Sequence, residues 1–216
     1  MRAAGLMLLL VVSSPAVAQG AAPVPRASPA PAAEPTPAAR RLAAWATRSQ
    51  DTRGRPFLVI DKVAARVFAY DADGTLRATT PALLGAARGD VTPPDIGKRT
   101  LAQIGPADRI TQAGRFEAHI GPDLHEDVLW IDYDSGLSLH RVVTGSRTEH
   151  RLTRLATPST ADNRVSFGCI NVPRIFYETV VAPMFRPADG VVYILPEQRA
   201  LSEVFPALPV ALAAQR

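Results

Sequence analysis

Val128-Leu-Trp-Ile-Asp-Tyr133, then Asp134-Ser135-Gly136, then Leu137-Ser-Leu-His-Arg141: two short runs of apolar and aromatic residues flank a three-residue turn signal. Runs of this length, bounded by Asp, Ser and Gly, predict strands joined by a tight turn, not a helix. Strand periodicity puts Leu137 and Leu139 on one face, and Ser138 and His140 on the other. A buried face thus backs a polar face that carries a histidine.

The same reading extends in both directions. Phe57 to Asp61 and Arg66 to Tyr70 are strand-like, and Asp71-Ala72-Asp73-Gly74 turns the chain into Thr75–Thr80. Arg115–Ile120, Val165–Asn171 and Gly190–Leu195 add three more strands. Residues 85–114 are rich in Gly, Pro and Asp without a period, which predicts a long surface excursion. Pro173 precedes residues that recur at helical spacing (Ile175, Phe176, Thr179, Val180), so one short helix is expected over 173–182. Glu197–Phe205 reads as a closing helix. Many short strands and one or two short helices predict a mainly β fold, a curved sandwich or barrel.

Outside this core the composition changes. Arg2, the apolar stretch Leu6–Val12 and Ala16-Val17-Ala18 read as a signal peptide over 1–18, with Gln19 as the first mature residue. The apolar run is too short for a lasting membrane anchor. Residues 19–41 are dominated by Pro and Ala and predict an extended spacer, with a short helix over 42–50. The expected organisation is signal peptide 1–18, linker and helix 19–55, folded domain 56–198 and tail 199–216. The net charge of +4 is mild, and only Lys62 and Lys98 among the 24 basic residues are lysines. No basic stripe carries interleaved aromatics, which argues against nucleic acid as a partner.

The chain has one cysteine, Cys169. In an exported protein a lone thiol has no intrachain disulfide partner; it is inert, paired to another chain, or kept for its reactivity. Its neighbourhood, Arg164-Val-Ser-Phe-Gly-Cys169-Ile-Asn171, favours reactivity. Gly168 removes a side chain beside the thiol, so a carbonyl group can approach the backbone, and N–H groups near Gly168 and Cys169 can meet a developing oxyanion. A thiol is mostly protonated at neutral pH and needs a base. The candidates are His119, His125, His140 and His150, and spacing alone does not choose among them.

Ser166-Phe167-Gly168-Cys169-Ile170-Asn171, preceded by Leu139-His140, resembles the Ser-x-Gly-Cys motif and upstream histidine of L,D-transpeptidase catalytic domains of the YkuD type. Ile110–Phe116 is similar to that family's Thr-Pro-x-Gly-x-Phe segment, and Leu58–Asp61 with Val67–Tyr70 to its opening hairpin. The resemblance covers about residues 56–196. It implies Cys169 as nucleophile, His140 as general base and the Gly168 backbone as oxyanion donor. Ser166, Asn171, Arg141 and Arg164 are then expected at the substrate. Three features depart from the family pattern: the long 143–162 stretch between His140 and Cys169, Phe167 where many members have histidine, and Arg141 where many have a small residue. The 143–162 stretch could cover the site and makes His150 the alternative base. A backbone carbonyl or Ser138 is left to orient His140.

The implied reaction is a two-step acyl transfer on peptidoglycan stem peptides through a Cys169 thioester, which places the protein in the periplasm or cell wall. The alternatives are an L,D-carboxypeptidase or amidase using water as acceptor, and a non-catalytic wall-binding module. No cofactor or metal is expected, since no histidine/carboxylate cluster has ligand spacing. The protein is expected to act as a monomer.

Overall fold

The structure, a computed structural model, describes residues 33–209. The expected signal peptide and most of the spacer lie outside those residues. The strands are β1 (Phe57–Asp61), β2 (Arg66–Tyr70), β3 (Leu76–Pro81), β4 (Leu84–Gly85), β5 (Gly114–Pro122), β6 (Asp127–Asp132), β7 (Leu137–Arg141), β8 (Arg164–Ser166), β9 (Ile170–Val172) and β10 (Gly190–Ile194). Eight of them form one curved sheet in the order β3-β2-β1-β10-β5-β6-β7-β9, and β4 pairs with β8. The fold is mainly β, as the strand pattern predicts.

The long strand β5 joins the two halves of this sheet. Gly114–Ala118 pairs with β10, and His119–Pro122 pairs with β6. In the main core Leu58, Ile60, Leu129, Leu139, Ile170 and Val192 meet. A second core covers the other face of β1 and β10. There Phe57, Val59 and Tyr193 pack against Ala39, Leu42, Ala43 and Ala46 of helix α1 (Pro37–Arg48). Burial on both faces explains why β1 reads as an apolar run from Phe57 to Ile60.

Helix α1 starts earlier than the sequence suggests. Thr36 caps it by accepting the Ala39 N–H, and Pro37 occupies its first turn. At the other end Phe205 and Leu208 enter the same second core beyond the short helix at Leu201–Val204. The packed body therefore extends past the expected 56–198 on both sides. Residues 37–41 were read as spacer, because alanines that pack well look the same along the sequence as alanines in a spacer.

Three further expectations change. The helix expected over 173–182 runs from Arg174 to Phe185 and contains a π turn at Tyr177–Val181. Pro183 has no N–H and crowds the preceding turn, so the helix widens just before it. Val165–Asn171 is not one strand: it breaks at Phe167–Cys169 into β8 and β9, which belong to different sheets. The supposed surface excursion 85–114 carries three 3-10 turns, at Ile96–Lys98, Leu101–Gln103 and Pro106–Asp108, and folds back as a wall. Among the described residues no helix is long and apolar enough to cross a membrane.

Candidate active site

Strand pairing assembles the site. β7 and β9 run parallel, with Leu139 beside Ile170 and His140 beside Asn171. That register brings Cys169 next to Ser138, whose hydroxyl lies 3.5 Å from the Cys169 sulfur; Sγ also lies 3.5 Å from the Gly136 carbonyl. Both polar residues that periodicity put on the outer face of β7 thus reach the cysteine loop.

The loop itself is a tied turn. Gly168 has φ +137°, and a Cβ there would sit 2.9 Å from the Ile110 carbonyl oxygen, so only glycine fits. The Ser166 hydroxyl donates to the Cys169 carbonyl at 2.7 Å and accepts the Gly168 N–H at 3.1 Å. Ser166 is buried and holds the loop; it does not face a substrate. The Gly168 N–H is engaged by Ser166, so the expected Gly168 oxyanion donor is not available. The next amide, Cys169 N–H, has no acceptor among the described residues.

The imidazole of His140 has a defined orientation. Its Nδ1 lies 2.8 Å from the Arg141 carbonyl oxygen, which only accepts, so Nδ1 carries the hydrogen. Nε2 is then the basic atom in the neutral ring. It faces the amide nitrogen of Asn171 at 3.4 Å. The orienting group is therefore a backbone carbonyl and not Ser138. Burial pushes the His140 pKa down, but the hydrogen bond and charge of Cys169 outweigh it, leaving the imidazole above its ordinary value. Burial pushes the Cys169 thiol up, and its partnership with His140, then Ser138, brings it below the ordinary thiol value. The two shifts act together to favour a thiolate–imidazolium pair.

Beside the thiol a cleft of about 160 Å³ is lined by the wall segment 92–112 and by Ser135–Leu137 and Phe167–Cys169. Its floor is apolar, with Ile96, Leu101, Ile104, Ile110 and Phe167. Arg99 lines it too, but its guanidinium is held by Asp95 and Asp108. Arg109 lies over the Phe167 ring, 4.0 Å from its centre. The cleft opens next to the Cys169 thiol because the 85–114 segment packs against the cysteine loop.

No family model matches this sequence, and no curated protein matches it. Solved structures do resemble the chain. The catalytic domain of the E. faecium L,D-transpeptidase is 15% identical, with a TM-score of 0.42, over 66% of this chain and 98% of that one. The helical cell shape determining protein Pgp2 from Campylobacter jejuni is 16% identical, with a TM-score of 0.44, over 67% of this chain and 49% of that one. The L,D-transpeptidase of Xylanimonas cellulosilytica is 14% identical, with a TM-score of 0.38, over 65% and 60%. This chain thus spans about half to three fifths of the length of the last two.

The remaining expected residues divide clearly. Asn171 is fully buried: its amide nitrogen meets His140 Nε2 and the Cys169 carbonyl, and its oxygen accepts from Arg151 at 2.7 Å. It organises the site and does not contact solvent. Arg141 was expected at the substrate, yet its side chain is only 5% exposed. It pairs with Glu178 and Asp127 and lies over the Tyr177 ring, so it ties β7 to β6 and to the helix Arg174–Phe185. Arg164, also expected there, is 8% exposed and held by Glu197 and the Lys62 carbonyl. Neither guanidinium is available for a substrate carboxylate. In both cases burial beside fixed carboxylates overrides the reading from charge alone.

His150 is exposed at the head of helix α2 (Arg151–Ala156), beside a shallow depression that does not include Cys169. The 143–162 stretch reaches the site through Arg151 instead. Two residues to which the sequence reading gave no place in the site touch it in the structure: Arg151 and Thr111. The Thr111 hydroxyl donates to the Gly168 carbonyl at 2.7 Å. Arg151 looked like one of many arginines, and Thr111 like one residue of a strand approach. Lys62, a rare lysine in an arginine-rich chain, was a visible signal for the buried cluster beneath the wall.

Proposed function

We propose that this protein is a cysteine acyl-transferase of the L,D-transpeptidase type acting on peptidoglycan stem peptides. The observation that carries the reading is the pairing of β7 with β9. It sets a His140 with a fixed Nδ1–H tautomer against a Cys169 thiol held below its ordinary pKa, beside a cleft. The Ser-x-Gly-Cys resemblance supplies the substrate class. In this reading His140 Nε2 takes the Cys169 proton. Sγ attacks the carbonyl before the terminal D-residue of a stem, and the carbonyl π pair moves to oxygen. The Cys169 N–H meets that oxyanion. Collapse breaks the amide bond, and the leaving amine takes the proton from the imidazolium. An amine of a second stem then attacks the thioester, or water does, giving hydrolysis.

The test is mass spectrometry of purified muropeptides incubated with the protein. The expected products are cross-linked dimers and released D-alanine, absent with Cys169→Ala. Unchanged muropeptides with a folded, thiol-reactive wild type would overturn the substrate assignment. Trimmed monomers without dimers would assign hydrolysis in place of transfer. Export to the periplasm or wall is part of the same reading; N-terminal sequencing of the exported protein should begin at Gln19.

A further inference from the structure

The cysteine loop is gripped from its inner side by one buried residue. The segment Arg109–Thr111 threads between two glycines. A Cβ on Gly85 would lie 2.3 Å from the Arg109 carbonyl oxygen and 2.7 Å from the Thr111 nitrogen, and a Cβ on Gly168 would lie 2.9 Å from the Ile110 oxygen. Both glycines leave room for the same backbone. Thr111 is fully buried. Its hydroxyl accepts the Gly85 N–H at 2.9 Å and donates to the Gly168 carbonyl at 2.7 Å. Its own carbonyl accepts from the buried Lys62 ammonium at 2.8 Å.

The Gly168 carbonyl and the Cys169 N–H belong to one planar, trans peptide unit, so they point in opposite directions. Whatever holds that carbonyl inward aims that N–H outward. The Thr111 hydroxyl is the group that holds it. The other nearby amide, Gly168 N–H, is occupied by Ser166. We propose that Thr111 is a positioning residue for acyl transfer, which fixes the Gly168–Cys169 peptide so that the Cys169 N–H faces the oxyanion formed on the acyl group at Sγ. This rests on the acyl-transfer reading above and adds a residue that acts through the backbone, without touching substrate.

The role predicts a split between two reactions of the same thiol. Iodoacetamide alkylates Sγ by displacement and forms no oxyanion. p-Nitrophenyl acetate acetylates Sγ through carbonyl addition and does form one. In the full chain, Thr111→Val should lower the acetylation rate by about 10²-fold, the usual loss for one oxyanion donor. Alkylation and its pH profile should stay within about two-fold, and Thr111→Ser should restore most of the acetylation. Thr111→Ala, which leaves space where valine crowds, serves if the valine variant does not fold. In the wild type, the Cys169 amide proton should move downfield when acetaldehyde forms its hemithioacetal on Sγ, a readout that needs no variant. An equal fall in both reactions would make Thr111 a mere support of the thiol. Undiminished acetylation in a folded variant lacking the hydroxyl, or an unmoved Cys169 amide, would also overturn the proposal. A wild type that is acetylated yet leaves muropeptides unchanged would remove the substrate assignment and keep the role of Thr111.

Discussion

Replacing Lys62 with methionine should destabilise the body and loosen the wall of the cleft. The Lys62 side chain has no solvent exposure. Its ammonium donates to Asp90 at 2.6 Å, to the Gly89 carbonyl at 2.5 Å and to the Thr111 carbonyl at 2.8 Å, and lies 3.8 Å from Glu197. Methionine fills a similar volume but leaves the Asp90 carboxylate buried without its cation. Asp90 keeps three N–H donors, from Glu197, Gln198 and Arg199, and Glu197 keeps Arg164. Breaking one partner of a buried pair costs about 3–5 kcal/mol. At roughly 2–4 °C per kcal/mol for a body of this size, Tm should fall by about 6–20 °C. Differential scanning calorimetry reads this directly. The pH dependence gives a second check. Burial raises the Asp90 pKa, but Lys62 and the three N–H groups outweigh it, holding the carboxyl below its ordinary value. The unfolded chain therefore binds this proton first, and stability is lost as pH falls from the ordinary carboxylate range through the lower folded pKa. That acid limb should shrink in the Lys62→Met variant. A Tm within two degrees of wild type, with the acid limb intact, would refute the view that this cluster clamps the wall.

Three further outcomes follow from the same geometry. His140→Ala should lower turnover by about 10²–10⁴-fold, and in a pH profile of thiol alkylation Cys169 should titrate higher, because burial then acts without the imidazole; an unmoved profile would free His140 from the role. Arg151→Ala removes a positive charge that lowers the His140 pKa, so the imidazole should titrate at higher pH by NMR; a shift to lower pH would contradict the Arg151–Asn171–His140 arrangement. Leu42→Ala on α1 should cost about 2–5 kcal/mol in urea unfolding, since Leu42 is fully buried in the second core; a neutral result would show that α1 does not belong to the packed body.

Most strands were legible because they place a short apolar or alternating run between turn residues; two-residue β4 and the break between β8 and β9 were not. Leu137–Arg141 declared both its buried face and the two polar residues that meet Cys169. The thiol was legible too, as a lone cysteine beside a glycine in a motif. Strand order was not. β1 pairs with β10 in parallel across most of the chain, and no local pattern encodes that partnership. Arg141, Arg164 and Arg151 are the same residue type in similar polar surroundings along the sequence. Only packing separates an arginine locked in carboxylates from one that holds Asn171.

By itself, then, the sequence determined the period-two elements, the glycine at the cysteine loop and the single cysteine. These depend on local backbone sterics and on composition, which neighbours along the chain carry. The tertiary structure decided which histidine meets the thiol, which nitrogen of its ring is basic, which amide of the cysteine loop is engaged by Ser166, and that α1 is core and not spacer. Each of these is set by hydrogen-bond partners and buried contacts between segments far apart in the chain. Periodicity does not report such contacts, because the free energy that fixes them comes into being only when the segments meet.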